Sequence, residues 1–197
     1  MGADKALLPL FGKPLIAHSL GILQQAGLPA SIAGARSPLS AFAPVIEEAK
    51  PDQGPLGGIC AALAFTSAHR AVFLPVDLPL LPAALVTYLL LHARTTGQAV
   101  TLPSVGGFAQ TFPVVLARAA LPLLQAELGA GRRGCFSAFQ TAASSLAQPL
   151  SVLDVDLLVQ SGQLVHPHRL PPARWFLNVN SPADLRRAHA HHTTPIA

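Results

Sequence analysis

Charge is scarce in this chain. Of 197 residues, 13 are Lys or Arg and 9 are Asp or Glu, 11% together, while 51% are apolar. A disordered tail has the opposite balance, so the chain carries enough apolar material for one substantial core. Cysteine is rarer still. Cys60 and Cys135 form no CxxC pair, and two ordinary buried thiols in a reducing compartment are expected. The 15 glycines and 19 prolines follow no triplet period, which excludes collagen. Lys and Arg form no run, and no aromatic stripe interleaves them. The net charge of +4 therefore suits a small anionic substrate at least as well as nucleic acid. No apolar stretch reads as a membrane helix. Residues 95–117 lack charge but contain Ser104, Gly106, Gly107 and Gln110, and residues 78–91 are short and carry Pro79 and Pro82. The N-terminus lacks the apolar core of a signal peptide. A cytoplasmic protein with neither nucleic-acid nor membrane partners is expected.

What is present alternates. The apolar pattern predicts helices over 13–25, 57–67, 82–93, 118–128 and 134–143. It predicts strands over 29–34, 43–46, 71–76, 98–103 and 111–116, with 151–156 and 175–179 extended. Ser181 reads as an N-cap with Pro182 in the first turn of a last helix. The alternation means an α/β layered fold with a mostly parallel sheet. One domain is expected over 1–197, with 189–197 as a frayed tail.

Ligands of such sheets gather at the carboxyl ends of strands. The apolar run 71–76 delivers Asp77 there, between Pro75 and Pro79. A lone carboxylate so placed could hold Mg²⁺, or could cap the helix near Pro82. The stretch Gly54-Pro55-Leu56-Gly57-Gly58 is read as a loop entering a helix. It could let backbone N–H groups approach a base or phosphate, or could be only a tight turn. It is neither a Walker A nor a GxGxxG sequence, and no Gly-x-Ser-x-Gly occurs. His166-x-His168 and His189-x-His191-His192 have no Cys or acidic residue at matching spacing, so a structural zinc is not expected. Asp154-x-Asp156 reads as a polar sheet face.

The motifs fall in a particular order. Met1-Gly2-Ala3-Asp4-Lys5 is followed by Gly12-Lys13-Pro14-Leu15-Ile16-x-His18 and the Gly54–Gly58 stretch. Then come Pro75-x-Asp77-x-Pro79, Gly131-Arg132-Arg133 and Asn178-Val179-Asn180-Ser181-Pro182-x-Asp184. This order resembles the molybdenum cofactor guanylyltransferases, the MobA-type nucleotidyltransferases, over nearly the whole chain. The resemblance implies a three-layer α/β sandwich of the nucleotide-diphospho-sugar transferase type. It also implies transfer of GMP from GTP to molybdopterin, with release of pyrophosphate. It makes Lys5 a catalytic and phosphate-binding residue and Asp77 the Mg²⁺ ligand. It assigns Gly54, Pro55, Leu56, Gly57 and Glu48 to the nucleotide, and Arg132, Arg133, Asn178 and Asn180 to the acceptor. Transient contact with molybdoenzymes or other cofactor-biosynthesis proteins would accompany that role.

Departures from the family pattern matter. The family has a strand and a Leu-Ala-Gly-Gly-x-Ser-x-Arg loop just before the Met-Gly-x-Asp-Lys motif, so an N-terminal truncation relative to the family is expected, with Met1 as an internal methionine. The acid that follows the third strand falls on Glu48 or Glu47, or on Asp52, and an Asn of some members is replaced around 33–35. Leu78 after Asp77 and the Gly-Pro-Leu-Gly-Gly stretch favour the guanylyl branch. A cytidylyl enzyme of the same fold, or a catalytically silent nucleotide or pterin binder, stands as the alternative.

Overall fold

The computed structural model describes residues 5–34, 37–48 and 53–192. Met1–Asp4, Ala35 and Asp52 of the motifs above lie outside the described residues, as do 193–197. A 3-10 turn at Lys5–Leu7 leads into a tight hairpin, β1 (Pro9–Leu10) against β2 (Lys13–Pro14). Phe11 and Gly12 turn it with φ of 49° and 76°, the positive values that a two-residue hairpin needs at both central positions. The ring Nε2 of His18 donates to the Leu10 carbonyl at 2.7 Å, fastening the hairpin to α1 (Leu15–Gln25).

Next come β3 (Ile32–Ala33) and β4 (Val45–Ile46), paired in parallel, and then α2 (Gly54–Phe65). After them follow β5 (Arg70–Phe73), α3 (Ala83–Thr96), β6 (Val100–Val105), β7 (Phe108–Ala109) and β8 (Val114–Ala117). The chain finishes with α4 (Leu121–Gly129), α5 (Cys135–Ser145), β9 (Ser151–Asp154), α6 (Val155–Gln160), α7 (Pro172–Trp175) and α8 (Pro182–His192). The last helix runs to His192.

The main sheet runs β5-β8-β6-β9, with β7 folded back on β6. β6 and β9 are parallel, while β8 is antiparallel to both β5 and β6. β5, β6 and β9 therefore share one direction, as expected, and β8 is reversed. The link from Val105 to Val114 is too short for the crossover helix that a parallel return would need. One face of the sheet packs Val100, Leu102, Val114 and Leu116 against Leu56 and Leu63 of α2, Leu124 of α4 and Phe139 of α5. The other face sets Val115 against Ile22 of α1, Leu85 and Leu89 of α3, and Trp175. The result is the expected three-layer α/β sandwich.

Two local expectations are corrected. The Gly54–Gly58 stretch is not a loop before a helix but the opening of α2 itself, with Pro55 in the first turn, where its missing N–H costs nothing. Asp154 and Asp156 do not form a polar sheet face. The strand stops at Asp154, whose Oδ1 accepts from the Leu157 N–H at 3.1 Å and caps α6. Asp156 Oδ2 accepts from the Gly106 N–H at 2.7 Å, bracing the β6–β7 turn. Local side-chain capping outcompeted strand continuation here.

Candidate functional site

The strand β5 ends at Phe73, and four residues further on the chain presents Asp77 in a turn walled by Leu78, Leu80 and Leu81, all buried. Lys5 Nζ lies 2.9 Å from Asp77 Oδ2 and also donates to Asn180 Oδ1. Residues 72 and 175 positions from Lys5 therefore meet at one ammonium. The Asn-x-Asn segment is held by its centre. Val179 is fully buried and its N–H donates to the Asp77 carbonyl at 2.9 Å, which leaves Asn178 and Asn180 exposed on either side. Asn180 touches Lys5, and Asn178 is exposed beside it in sequence. Ser181 caps α8 as expected. Its Oγ accepts from the Asp184 N–H at 3.2 Å, while Asp184 Oδ2 accepts from the Ser181 hydroxyl and from the Asn180 N–H. These bonds, with Arg187 beside it, hold the Asp184 carboxyl below its usual range.

Glu48 occupies a second corner. A Cβ on Gly34 would fall 2.6 Å from Glu48 Oε1, and one on Gly57 would fall 3.0 Å from Oε2 and 2.6 Å from the Gln53 Cβ. The carboxylate thus rests on a floor without side chains, where the ends of β3 and β4 meet the first turn of α2. Glu47 is exposed next to it. Of the α2 opening, Gly54 and Pro55 are exposed, whereas the Leu56 side chain is fully buried in the core. Leu56 therefore anchors this turn, and only its backbone is available to a ligand.

Arg132 is paired within the fold. Its Nε and Nη2 make a two-pronged pair with Glu127 at 2.7 and 2.6 Å. Glu127 was missed from sequence, because an acid on one helical turn and a base beyond its end look like solvated surface. The hydrogen bond from Arg132, followed by its charge, outweighs burial and holds the Glu127 carboxyl below its usual range. A depressed carboxyl stabilises the fold above its unfolded value, near 4.5, and that stability is lost as pH falls through the lower folded value. Glu127→Gln is therefore expected to melt below the parent at pH 6–7 and to converge with it in acid. Thermal unfolding followed from pH 7 to pH 3 checks this, and a constant gap across the range would refute it.

His166 and the two cysteines have structural roles. His166 is buried, donates from Nε2 to the Leu80 carbonyl at 3.0 Å, and accepts at Nδ1 from the His168 N–H at 3.0 Å. Both its ring nitrogens are thereby occupied. Burial, helped by the neighbouring Cys135, pushes the Cys60 thiol up to about 11, and burial does the same to Cys135. Burial thus favours the protonated thiol over the thiolate at both positions.

The donor set at Asp77 suits a hard cation. One carboxylate and one amide oxygen converge on a single point, and here the Lys5 ammonium stands at that point as a positive charge. Mg²⁺ takes such oxygen donors and completes its shell with water and phosphate oxygens. Among the described residues no group of three or more His, Cys, Asp or Glu forms a closed metal cage. No helix among them is long and apolar enough to cross a membrane.

Comparison with known proteins places this arrangement. The chain superposes on the molybdopterin-guanine dinucleotide biosynthesis protein A of Archaeoglobus fulgidus with a TM-score of 0.73 and 20% identity, covering 96% of this chain and 90% of that one. The fold is that of the α/β nucleotidyltransferases, with the charged cluster at its strand ends. The MobA-like NTP transferase domain matches residues 1–157, and the chain belongs to that family. A molybdenum cofactor guanylyltransferase of Xanthomonas euvesicatoria is 43% identical over 91 residues, a stretch of 46% of this chain and 47% of that protein. A probable molybdenum cofactor guanylyltransferase of Haloferax mediterranei is 28% identical over 193 residues, covering 94% of this chain and 84% of its own length.

Proposed function

We propose that the protein transfers GMP from GTP to molybdopterin, or to its molybdenum form, and releases pyrophosphate. The observation that carries this reading is the meeting of Lys5, Asp77 and Asn180 at the strand ends. The names of the relatives supply the acceptor, and a cytoplasmic setting suits the use of GTP.

The chemistry needs no side-chain nucleophile. An oxygen of the terminal phosphate of the pterin attacks the α-phosphorus, and the bond from that phosphorus to the pyrophosphate oxygen breaks. The protein positions the two phosphates and neutralises charge. Lys5 is ready to move: its pair with Asp77 is partly solvated, at 35% and 23% side-chain exposure, so exchanging Asp77 for a phosphate oxygen costs at most about 1 kcal/mol. Asp77 and Asn180 would hold Mg²⁺. When bound, that ion would offset the negative charge of the reacting phosphates. The N-terminal turn of α2, exposed at Gly54 and Pro55 with Gly57 buried beneath, would offer its backbone to the nucleotide beside Glu48. A carboxylate can accept from both the N1–H and the exocyclic amine of guanine, whereas cytosine offers it only an amine. Arg132 keeps three N–H donors beyond the two given to Glu127 and, with Arg133 and Asn178, faces the acceptor in this reading.

The test is a competition. The chain is incubated with molybdopterin, Mg²⁺ and equal GTP and CTP, and the dinucleotide products are separated. The guanine product is expected to dominate by at least about tenfold, the ratio that one lost charged hydrogen bond sets. A dominant cytosine product would assign the cytidylyl reaction instead.

A further inference from the structure

The end of the sheet opposite the Asp77 cluster holds a second concave site. β5 opens at Arg70, which pairs with Ala117 across the ladder. Arg118 follows directly on that partner, and its N–H donates to the His69 carbonyl at 2.9 Å. The chain between α3 and β6 turns here at Gly97, and the chain after α5 arrives with Gln148. Together these segments line a pocket of about 350 Å³, large enough for a small ligand. Its polar side chains are Arg70, Arg118, His69 and Gln148, and no Asp or Glu among the described residues lines it.

Each of these side chains has a donor to give. Arg70 Nε is buried with no hydrogen-bond partner. None of the ion pairs among the described residues uses Arg70 or Arg118. Gln148 gives its carbonyl oxygen to the Ala99 N–H at 2.7 Å, so what it offers the pocket is its NH₂. A buried guanidinium N–H without an acceptor is costly, and two guanidiniums on neighbouring strand ends repel each other when no acid stands between them. An oxyanion answers both needs, because the planar guanidinium fork matches its oxygens two at a time. Two arginines call for a dianion. A phosphate group carries close to two negative charges near neutral pH, whereas a single carboxylate would leave one guanidinium unpaired. We propose that this pocket binds inorganic phosphate or pyrophosphate, held by Arg70 and Arg118 with Gln148 and His69 beside them. The site requires neither GTP nor the pterin and stands apart from the proposed reaction.

The test is a titration of the isotope-labelled chain with sodium pyrophosphate in the absence of Mg²⁺, followed residue by residue by nuclear magnetic resonance. Sodium chloride at matched ionic strength is the reference. Saturating shifts are expected at the backbone N–H groups of Gly97 and Ala119, which line the pocket, and at the Arg70 Nε–H. A parallel titration with inorganic phosphate decides, by the tighter of the two, which anion the pocket takes. Arg118 is exposed, so Arg118→Gln keeps the fold, and it is expected to weaken this binding by about tenfold or more. Shifts that never saturate, that chloride reproduces, or that are confined to Lys5, Asp77 and Asn180 overturn the proposal. So does an Arg118→Gln protein with parental affinity at Gly97 and Ala119.

Discussion

Asp77→Ala is expected to lower the rate of guanylyl transfer by roughly 10²–10³ while barely moving the melting temperature. The two halves of this outcome have separate physical origins. Asp77 follows an apolar strand, and the buried neighbours Leu78, Leu80 and Leu81 fix its backbone, so the turn survives truncation of the side chain. Its pair with Lys5 is partly solvated and contributes between about 0 and 1 kcal/mol to folding. The bond that anchors the Asn-x-Asn segment uses the Asp77 carbonyl, which alanine keeps. Catalysis is another matter, because the carboxylate is the anionic partner at the point where Lys5 and Asn180 converge. Without it the site loses its cation-holding charge, and Lys5 loses the partner that parks it beside the strand end. The measurement is kcat for the guanine product at saturating GTP, with thermal unfolding alongside. A near-parental kcat would remove Asp77 from the mechanism. A lowered melting temperature with lost activity would instead make the residue structural, and Asp77→Asn, which keeps the shape, separates the two.

How much of this was readable from the chain depends on the range of the interaction. The run 71–76 announces a buried strand because it is apolar throughout, and Ser181-Pro182-x-Asp184 announces a helix start because capping is local chemistry. The convergence of Lys5 on Asp77 and Asn180 is not local. Periodicity says nothing about contacts across 72 or 175 positions, and only the order of motifs suggested it. Errors arose where two local programmes compete. Gly54-Pro55-Leu56-Gly57-Gly58 has loop composition, yet the buried Leu56 and a proline in the first turn pull it into α2. Asp154 sits in a strand pattern but serves as a cap. The reversed β8 follows from the length of one connection, a topological fact with no residue signature. The Glu48 corner was legible only as three alternative acids. What sets Glu48 apart from its neighbour Glu47 is the floor without side chains at Gly34 and Gly57, two glycines brought together by the fold, while Asp52 lies outside the described residues.

Trp175→Ala is expected to destabilise the protein by about 3–5 kcal/mol, a large part of the roughly 5–15 kcal/mol that holds a typical domain together. For a chain of this size that corresponds to a fall in melting temperature of roughly 6–20 °C. Trp175 is fully buried and donates from Nε1 to the Leu170 carbonyl at 2.8 Å. Its ring lies 5.6 Å from that of His166, which itself bonds the Leu80 carbonyl. The indole thus wedges the 166–176 segment against α3 and the turn that carries Leu80, in the same core that packs Leu85 and Leu89. Alanine would leave a cavity and also an unpaired carbonyl at Leu170. Trp175→Phe fills most of the cavity but still lacks the N–H, so it should fall between alanine and the parent. The consequence for the site is directional. Residues 176–180 continue from this wedge to the Val179–Asp77 bond, so loosening Trp175 frees Asn178, on the acceptor side in the proposed reading, before it disturbs Lys5 or Asp77. Assayed well below its melting temperature, Trp175→Ala should therefore show weakened use of the pterin acceptor with GTP affinity close to the parent. Equal losses for both substrates would mean that the segment does not hold the acceptor side.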